Sequence, residues 1–439
     1  MLHNFFVKNL TVQGEKMLTA ISGINWGDEG KGRMVDLLSS DYDIVCRYQG
    51  GNNAGHTVIN ERGKFILNLL PSGILRENVV NVMGNGMVID IKHLVEEMGR
   101  LTAAGIKITP ENLKISDKAA ICMPYHVERD CLEEARLSDK KFGSTRRGIA
   151  PSYGDKYMKK SLRMGELFDM DALKERLADI VEWENLTVAG VYGGEPISVN
   201  AMAEHLKKYG EILKPFICDV SLYLDEQAKS GKKIMFEAQL GALRDIDFGI
   251  YPYTSSSNSI AAYAPIGAGI PNHKLDLSIG IMKAYSTCVG EGPFTVEYFG
   301  EKAETLRKAG GEYGAATGRP RRVGPFDAVA SKYGIRMQGA DEIALTKLDV
   351  LSDMDEIEVC VAYEKDGKET TDFPFPQHLD DYKPVLKTLK GWKKDISGCR
   401  KKEDLPKEAL DYIAFIEKVT EAKIKYVSVG AEREAYIVF

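Results

Sequence analysis

The chain has 439 residues, 44% of them hydrophobic and 28% charged, with a formal net charge of −6, so it can bury a large core and is too acidic overall for a nucleic-acid or acidic-membrane surface. Its seven cysteines (Cys46, Cys122, Cys131, Cys218, Cys288, Cys360 and Cys399) lack C-x-x-C spacing, which argues against a zinc site or disulfide framework and fits a reducing cytoplasm. No apolar run approaches the roughly 20 residues of a membrane span, and residues 1–16, expected to be an extension before a single domain of residues 17–439, carry no continuous apolar stretch of a signal peptide.

The first predicted strand is Leu18-Thr19-Ala20-Ile21-Ser22, and the helical pattern Met34-Val35-Asp36-Leu37-Leu38 follows it. Between them lies Gly27-Asp28-Glu29-Gly30-Lys31-Gly32-Arg33. A glycine-rich strand-to-helix loop presents free N–H groups and the positive end of a helix dipole, which attract phosphate. Lys31 adds a point charge, and Asp28 with Glu29 can hold Mg²⁺ or take a proton. The spacing is not that of a Walker A loop, since Gly32-Arg33 stand where Ser or Thr would hold the metal. Taken alone, the segment also fits a glycine-rich turn in which Asp28 caps the helix.

The second predicted strand, Ile44-Val45-Cys46-Arg47-Tyr48, leads into Gln49-Gly50-Gly51-Asn52-Asn53-Ala54-Gly55-His56-Thr57. The asparagine amides can bond a base or ribose, and His56 can donate a proton near neutral pH. Its small polar neighbours argue against a core histidine. Further along, Val79–Met83, Lys233–Phe236 and Ile357–Val361 read as strands, and Ile91–Leu101 and Leu410–Val419 as helices. Strands alternating with helices predict an α/β fold with a large, mostly parallel central sheet flanked by helices, its nucleotide site at the carboxyl ends of the strands. Basic clusters at Lys156, Lys159, Lys160 and Arg163, and at Arg319, Arg321 and Arg322, are expected to meet local anions.

The two glycine loops resemble the signature segments of the adenylosuccinate synthetase family. Further segments recur in order: Leu69–Leu75, Gly84-Asn85-Gly86, Asp245-Ile246-Asp247 with Tyr251-Pro252-Tyr253, Val289–Phe294 and Thr346–Leu351. The resemblance implies GTP-dependent ligation of L-aspartate to IMP through a 6-phosphoryl-IMP intermediate, in a cytoplasmic homodimer. Asp28 would be the base and His56 the acid, with Mg²⁺ held by Asp28 and the Gly55 carbonyl. GTP would contact Gly27 to Arg33, Gly55 to Thr57, Arg321, Lys347-Leu348-Asp349 and Ser428-Val429-Gly430. Asp349 would read the guanine N1–H and amine, a pattern adenine cannot present.

Ala315, Ala316, Thr317, Arg319 and Arg321 match the aspartate-binding loop, in which two arginines fork onto carboxylates; Ala316 and Pro320 replace the commoner Thr and Arg. IMP would meet Asp28, Lys31, Asn53, Ala54, His56, Thr145, Lys159, Gln239, Ser255 and Arg319. Several of these depart from the family pattern. Arg146 replaces a glycine beside Thr145, Ser255 replaces a threonine, and Lys159 replaces an arginine that reaches the partner subunit's IMP. Leu240 falls at a glutamine position unless a one-residue shift brings Gln239 in. Two alternatives stay open: the same chemistry on another purine monophosphate such as dGMP, which retention of Asp28 disfavours, and a non-catalytic GTP-binding regulator.

Overall fold

The computed structural model describes residues 17–60, 62–314, 318 and 320–439; the expected extension, residues 1–16, lies outside them. Ten strands form the central sheet: β1 (Leu18–Gly23), β2 (Ile44–Arg47), β3 (Val80–Met83), β4 (Leu113–Ser116), β5 (Ile217–Cys218), β6 (Ile234–Gly241), β7 (Leu277–Lys283), β8 (Glu342–Thr346), β9 (Ile424–Ser428) and β10 (Tyr436–Val438). Their order across the sheet is β10-β9-β8-β7-β1-β6-β2-β3-β4-β5. Neighbours are parallel from β9 through β5, and β10 alone pairs antiparallel, on β9.

Alternate residues of these strands enter different cores, as period-two geometry requires. On one face Ala20, Ile44, Cys46 and Phe236 pack with Val220, Leu224, Ala264 and Ala268. On the other, Ile21, Val45, Met235 and Ile279 pack with Met34, Val35 and Leu37 of helix α1 (Lys31–Leu38). Burial on both faces explains why these strands read as nearly continuous apolar runs. The predicted helices run from Ile91 to Ala103 and from Lys407 to Thr420. Ile357–Val361 is a strand as expected, but it belongs to a separate small sheet with Phe326–Asp327, Lys368–Thr370 and Lys383–Lys390.

Because the strands are parallel, β1, β2, β6, β7, β8 and β9 all end on one edge. That edge collects the Asp28 loop, the Gln49–Gly55 loop, Leu240-Gly241, the Lys347–Asp349 segment and Val429-Gly430. Among the described residues no helix is long and apolar enough to cross a membrane, and the cysteines are unpaired.

Candidate active site

The first loop is held open by its own backbone and one buried carboxylate. Gly27 and Gly30 have φ of 99° and 97°, and Asp28 between them has φ 58°, a left-handed conformation that aspartate tolerates better than most residues. Gly30 is the N-cap of α1 and no side chain caps it, so Asp28 is not spent on the helix. Its carboxylate, 32% exposed, instead meets the Arg321 guanidinium at 3.0 Å. Glu29 differs from expectation. It is buried, accepts from the Asn25 and Gly27 amides at 3.1 and 2.8 Å, and pairs with buried Lys31 at 2.6 Å. Its oxygens are thereby committed to shaping the loop and neutralising Lys31.

His56 opens a hairpin, His56–Asn60 with Gly63–Leu67. Its Nδ1 lies 2.5 Å from Glu237 on β6, and Glu237 also accepts from the Ser72 amide and hydroxyl at 2.7 and 2.6 Å. This contact occupies Nδ1 and leaves Nε2 as the ring nitrogen for any ligand contact. Burial lowers the His56 pKa, with Glu237 acting against it. Burial also works to raise the Glu237 pKa, yet His56, Arg47 and Ser72 outweigh it and keep the carboxylate ionised. Gly32 permits the close approach of α1 to this histidine: a Cβ there would lie 2.5 Å from His56 Cβ and 3.1 Å from Ser72 Oγ. Alanine ordinarily favours a helix by about 1 kcal/mol over glycine. Here Gly32→Ala is expected to lower both the melting midpoint and kcat, because overpacking costs about 1–3 kcal/mol; calorimetry with steady-state rates checks both.

The segment Lys347-Leu348-Asp349, expected from the sequence to read guanine, follows β8. The Thr346 hydroxyl donates to the Glu29 carbonyl at 2.6 Å, tying this strand end to the Gly27–Gly30 loop. Lys347 has φ 59°, and its ammonium donates to the Gly310 carbonyl and Glu312 at 2.7 and 2.9 Å. Leu348 and Val429 are core side chains, so their ligand contacts would come from the backbone. Asp349 Oδ1 is buried without a hydrogen-bond partner, and burial raises this carboxyl's pKa against Lys347 and Arg33. An orphaned buried acceptor is costly unless a ligand donor completes it. Arg33 donates to the Ser428 hydroxyl and to the Glu432 and Ala435 carbonyls, which fastens α1 to the C-terminal segment. Ser428 also donates to the Gly430 carbonyl.

The remaining expected contacts fall unevenly. Asn53 is half-exposed and accepts from the Gly51 amide at 3.3 Å; Ala54, Gly55 and Thr57 are also half-exposed. Thr145 and Lys159 are exposed, Lys159 with φ 64° beside exposed Tyr157 and Met158. Ser255 is half-buried with its hydroxyl 3.2 Å from that of Ser257. Gln239 lies against the Gln49–Gly55 loop. It is fully buried, its amide donates to the Gly51 and Asn68 carbonyls at 2.7 and 3.2 Å, and its oxygen accepts from the Gly51 amide. Leu240 follows with φ 60° and lies against Gly27. Ala315, Ala316, Thr317 and Arg319 lie outside the described residues.

Glu237 and Ser72 stand in sequence segments that assign them no role, and no motif points to Glu312 or Lys283. Only their burial as charged or polar groups marks them. Among the described residues no three His, Cys, Asp or Glu side chains cluster as a metal site. Mg²⁺ characteristically takes one or two carboxylates and fills its shell with phosphate oxygens and water, so the part-exposed Asp28 carboxylate on a glycine-rich loop fits that ion.

The adenylosuccinate synthetase family profile matches residues 20–437. An adenylosuccinate synthetase of Carboxydothermus hydrogenoformans is 44% identical over 417 residues, 95% of this chain and 97% of that one. One from Caldanaerobacter subterraneus subsp. tengcongensis is 42% identical over 422 residues, 96% and 99% of the two chains. The structure of fully ligated adenylosuccinate synthetase from Plasmodium falciparum superposes with a TM-score of 0.90 at 36% identity, covering 97% of this chain and all of that one. The succinoaminodeoxyadenylate synthetase of cyanophage S-2L, bound to dGMP and dATP, shares the fold at TM-score 0.59 and 18% identity, over 96% and 95% of the chains.

Proposed function

Since this chain belongs to the adenylosuccinate synthetase family and is thus a GTP-dependent ligase joining L-aspartate to IMP, we propose that Asp28 and His56 are its catalytic base and acid. The difficulty of the reaction is that a purine carbonyl oxygen is a very poor leaving group. Asp28 takes the N1 proton of IMP, and the O6 anion so formed attacks the γ-phosphoryl group of GTP. The amine of aspartate then displaces O6 as phosphate. His56 Nε2, with Nδ1 held by Glu237, steadies the phosphoryl oxygens, and Lys31 with the amides at the start of α1 supplies the surrounding positive field. Mg²⁺, held by Asp28 and the Gly55 carbonyl, would neutralise developing phosphate charge.

The observation that carries this assignment is the placement of the Asp28 carboxylate: it caps no helix, pairs with Arg321, and sits one-third exposed on the glycine-rich loop. Asp349 completes its empty acceptor with guanine, Asn53, Ala54, Thr145 and Ser255 serve IMP, and Arg319 and Arg321, with the backbone of residues 315–317, serve aspartate. Lys159, exposed beside Tyr157 and Met158, would reach a second copy's IMP in a cytoplasmic homodimer built on residues 17–439. Phosphate release measured with GTP, aspartate and either IMP or dGMP, each omitted in turn, tests the assignment. Release that requires IMP, aspartate and GTP together is expected; release with dGMP alone, or GTP binding without release, would refute it.

Asp349→Asn is expected to cut the preference for GTP over ATP roughly 10- to 100-fold, the worth of a charged hydrogen bond. The ratio of kcat/KM for the two nucleotides reads it directly.

A further inference from the structure

Glu312, between the helix Gly300–Gly310 and the strand Arg322–Gly324, is fully buried, and its two oxygens receive four donors. Oε1 accepts from Lys283 Nζ at 2.9 Å, Lys347 Nζ at 2.9 Å and the Tyr285 hydroxyl at 2.5 Å. Oε2 accepts from Arg321 Nη1 at 2.6 Å, while Nη2 of the same guanidinium holds Asp28. The Glu312 carbonyl also accepts from the Arg321 amide at 2.9 Å. One side chain therefore joins the end of β7, the segment that reads guanine and the arginine beside the catalytic carboxylate.

We infer that Glu312 is a positioning residue for ligation, fixing Lys347 on the guanine side and Arg321 on the aspartate side from a single buried carboxylate. The inference rests on the function proposed above and assigns Glu312 no contact with substrate. Although burial works to raise its pKa, the surrounding cations hold Glu312 far below the usual carboxylate range. Lys283, also bonded to Thr287 at 2.8 Å, is pushed down to about 8 by burial despite its carboxylate partner. Buried ion pairs of this kind add little net stability over an apolar filling, and their best-attested use is to specify geometry.

The test compares wild type, Glu312→Gln and the double variant Glu312→Gln/Lys283→Met, which empties the site of both buried charges at similar volume. KM for IMP, GTP and aspartate is measured alongside the melting midpoint. The expected result is a rise in KM for GTP and for aspartate of roughly 10- to 100-fold, from loss of charge-assisted bonds to Lys347 and Arg321, with KM for IMP unchanged. A lowered midpoint with wild-type constants would make the carboxylate purely structural and overturn the inference, as would wild-type values throughout or failure of both variants to fold. Lack of turnover in the wild type would instead remove the functional assignment on which the inference rests.

Discussion

Replacing Asp28 with Asn is expected to cut turnover by roughly 10²–10⁴-fold, the usual worth of a positioned base, while leaving GTP binding nearly intact. The substitution keeps the shape of the side chain and removes its charge. The loop does not depend on that charge: Gly27 and Gly30 supply its positive φ angles, Glu29 ties its amides and Lys31, and Arg321 keeps Glu312 when Asp28 is neutral. Nucleotide titration by calorimetry beside steady-state rates separates the two effects. A variant that turns over at the wild-type rate would take Asp28 out of the mechanism, and one that fails to bind GTP would make the residue a loop determinant.

The second large effect is expected at Glu237, which touches no substrate in this account. Glu237→Gln swaps a charged acceptor for an amide that can turn a donor towards His56 Nδ1, so the ring loses the partner that fixes which nitrogen faces the phosphoryl group. Turnover should fall by about 10²-fold or more, as for loss of an oriented acid. Stability should fall too. Glu237 forms a buried pair with His56 and is the largest charge offsetting the burial of Arg47, whose Nε and Nη2 have no hydrogen-bond partner; removing one member of a buried pair costs about 3–5 kcal/mol. Denaturant unfolding and the rate of the folded fraction read the two losses independently. Full activity in a destabilised protein would reduce Glu237 to a structural role.

The sheet was legible in the sequence wherever strands are buried on both faces, because the apolar runs at Leu18–Ser22 and Ile44–Tyr48 have no solvent face to interrupt them. The turns of the glycine loops were equally legible, since Gly27, Gly30 and Gly50 adopt the positive φ angles that glycine permits. Partnerships between distant segments were not. His56 and Glu237 stand 181 positions apart, and only adjacent parallel strands bring them together. Glu312 looks like a surface glutamate in a polar stretch until Lys283, Lys347 and Arg321 converge on it. The side chains of Gln239 and Leu240 were illegible for a similar reason: strand alternation and the left-handed Leu240 turn Gln239 inward onto Gly51, and neither is visible in Glu-Ala-Gln-Leu-Gly.

The central claim, that O6 of IMP is phosphorylated before aspartate displaces it, is tested most directly by turnover of IMP labelled with ¹⁸O at position 6. Mass spectrometry of the released phosphate is expected to show one ¹⁸O per phosphate, in step with adenylosuccinate formed and only when GTP and aspartate are both present. Unlabelled phosphate accompanying adenylosuccinate would contradict the account, because the oxygen that leaves the purine would then not be the one that receives the phosphoryl group.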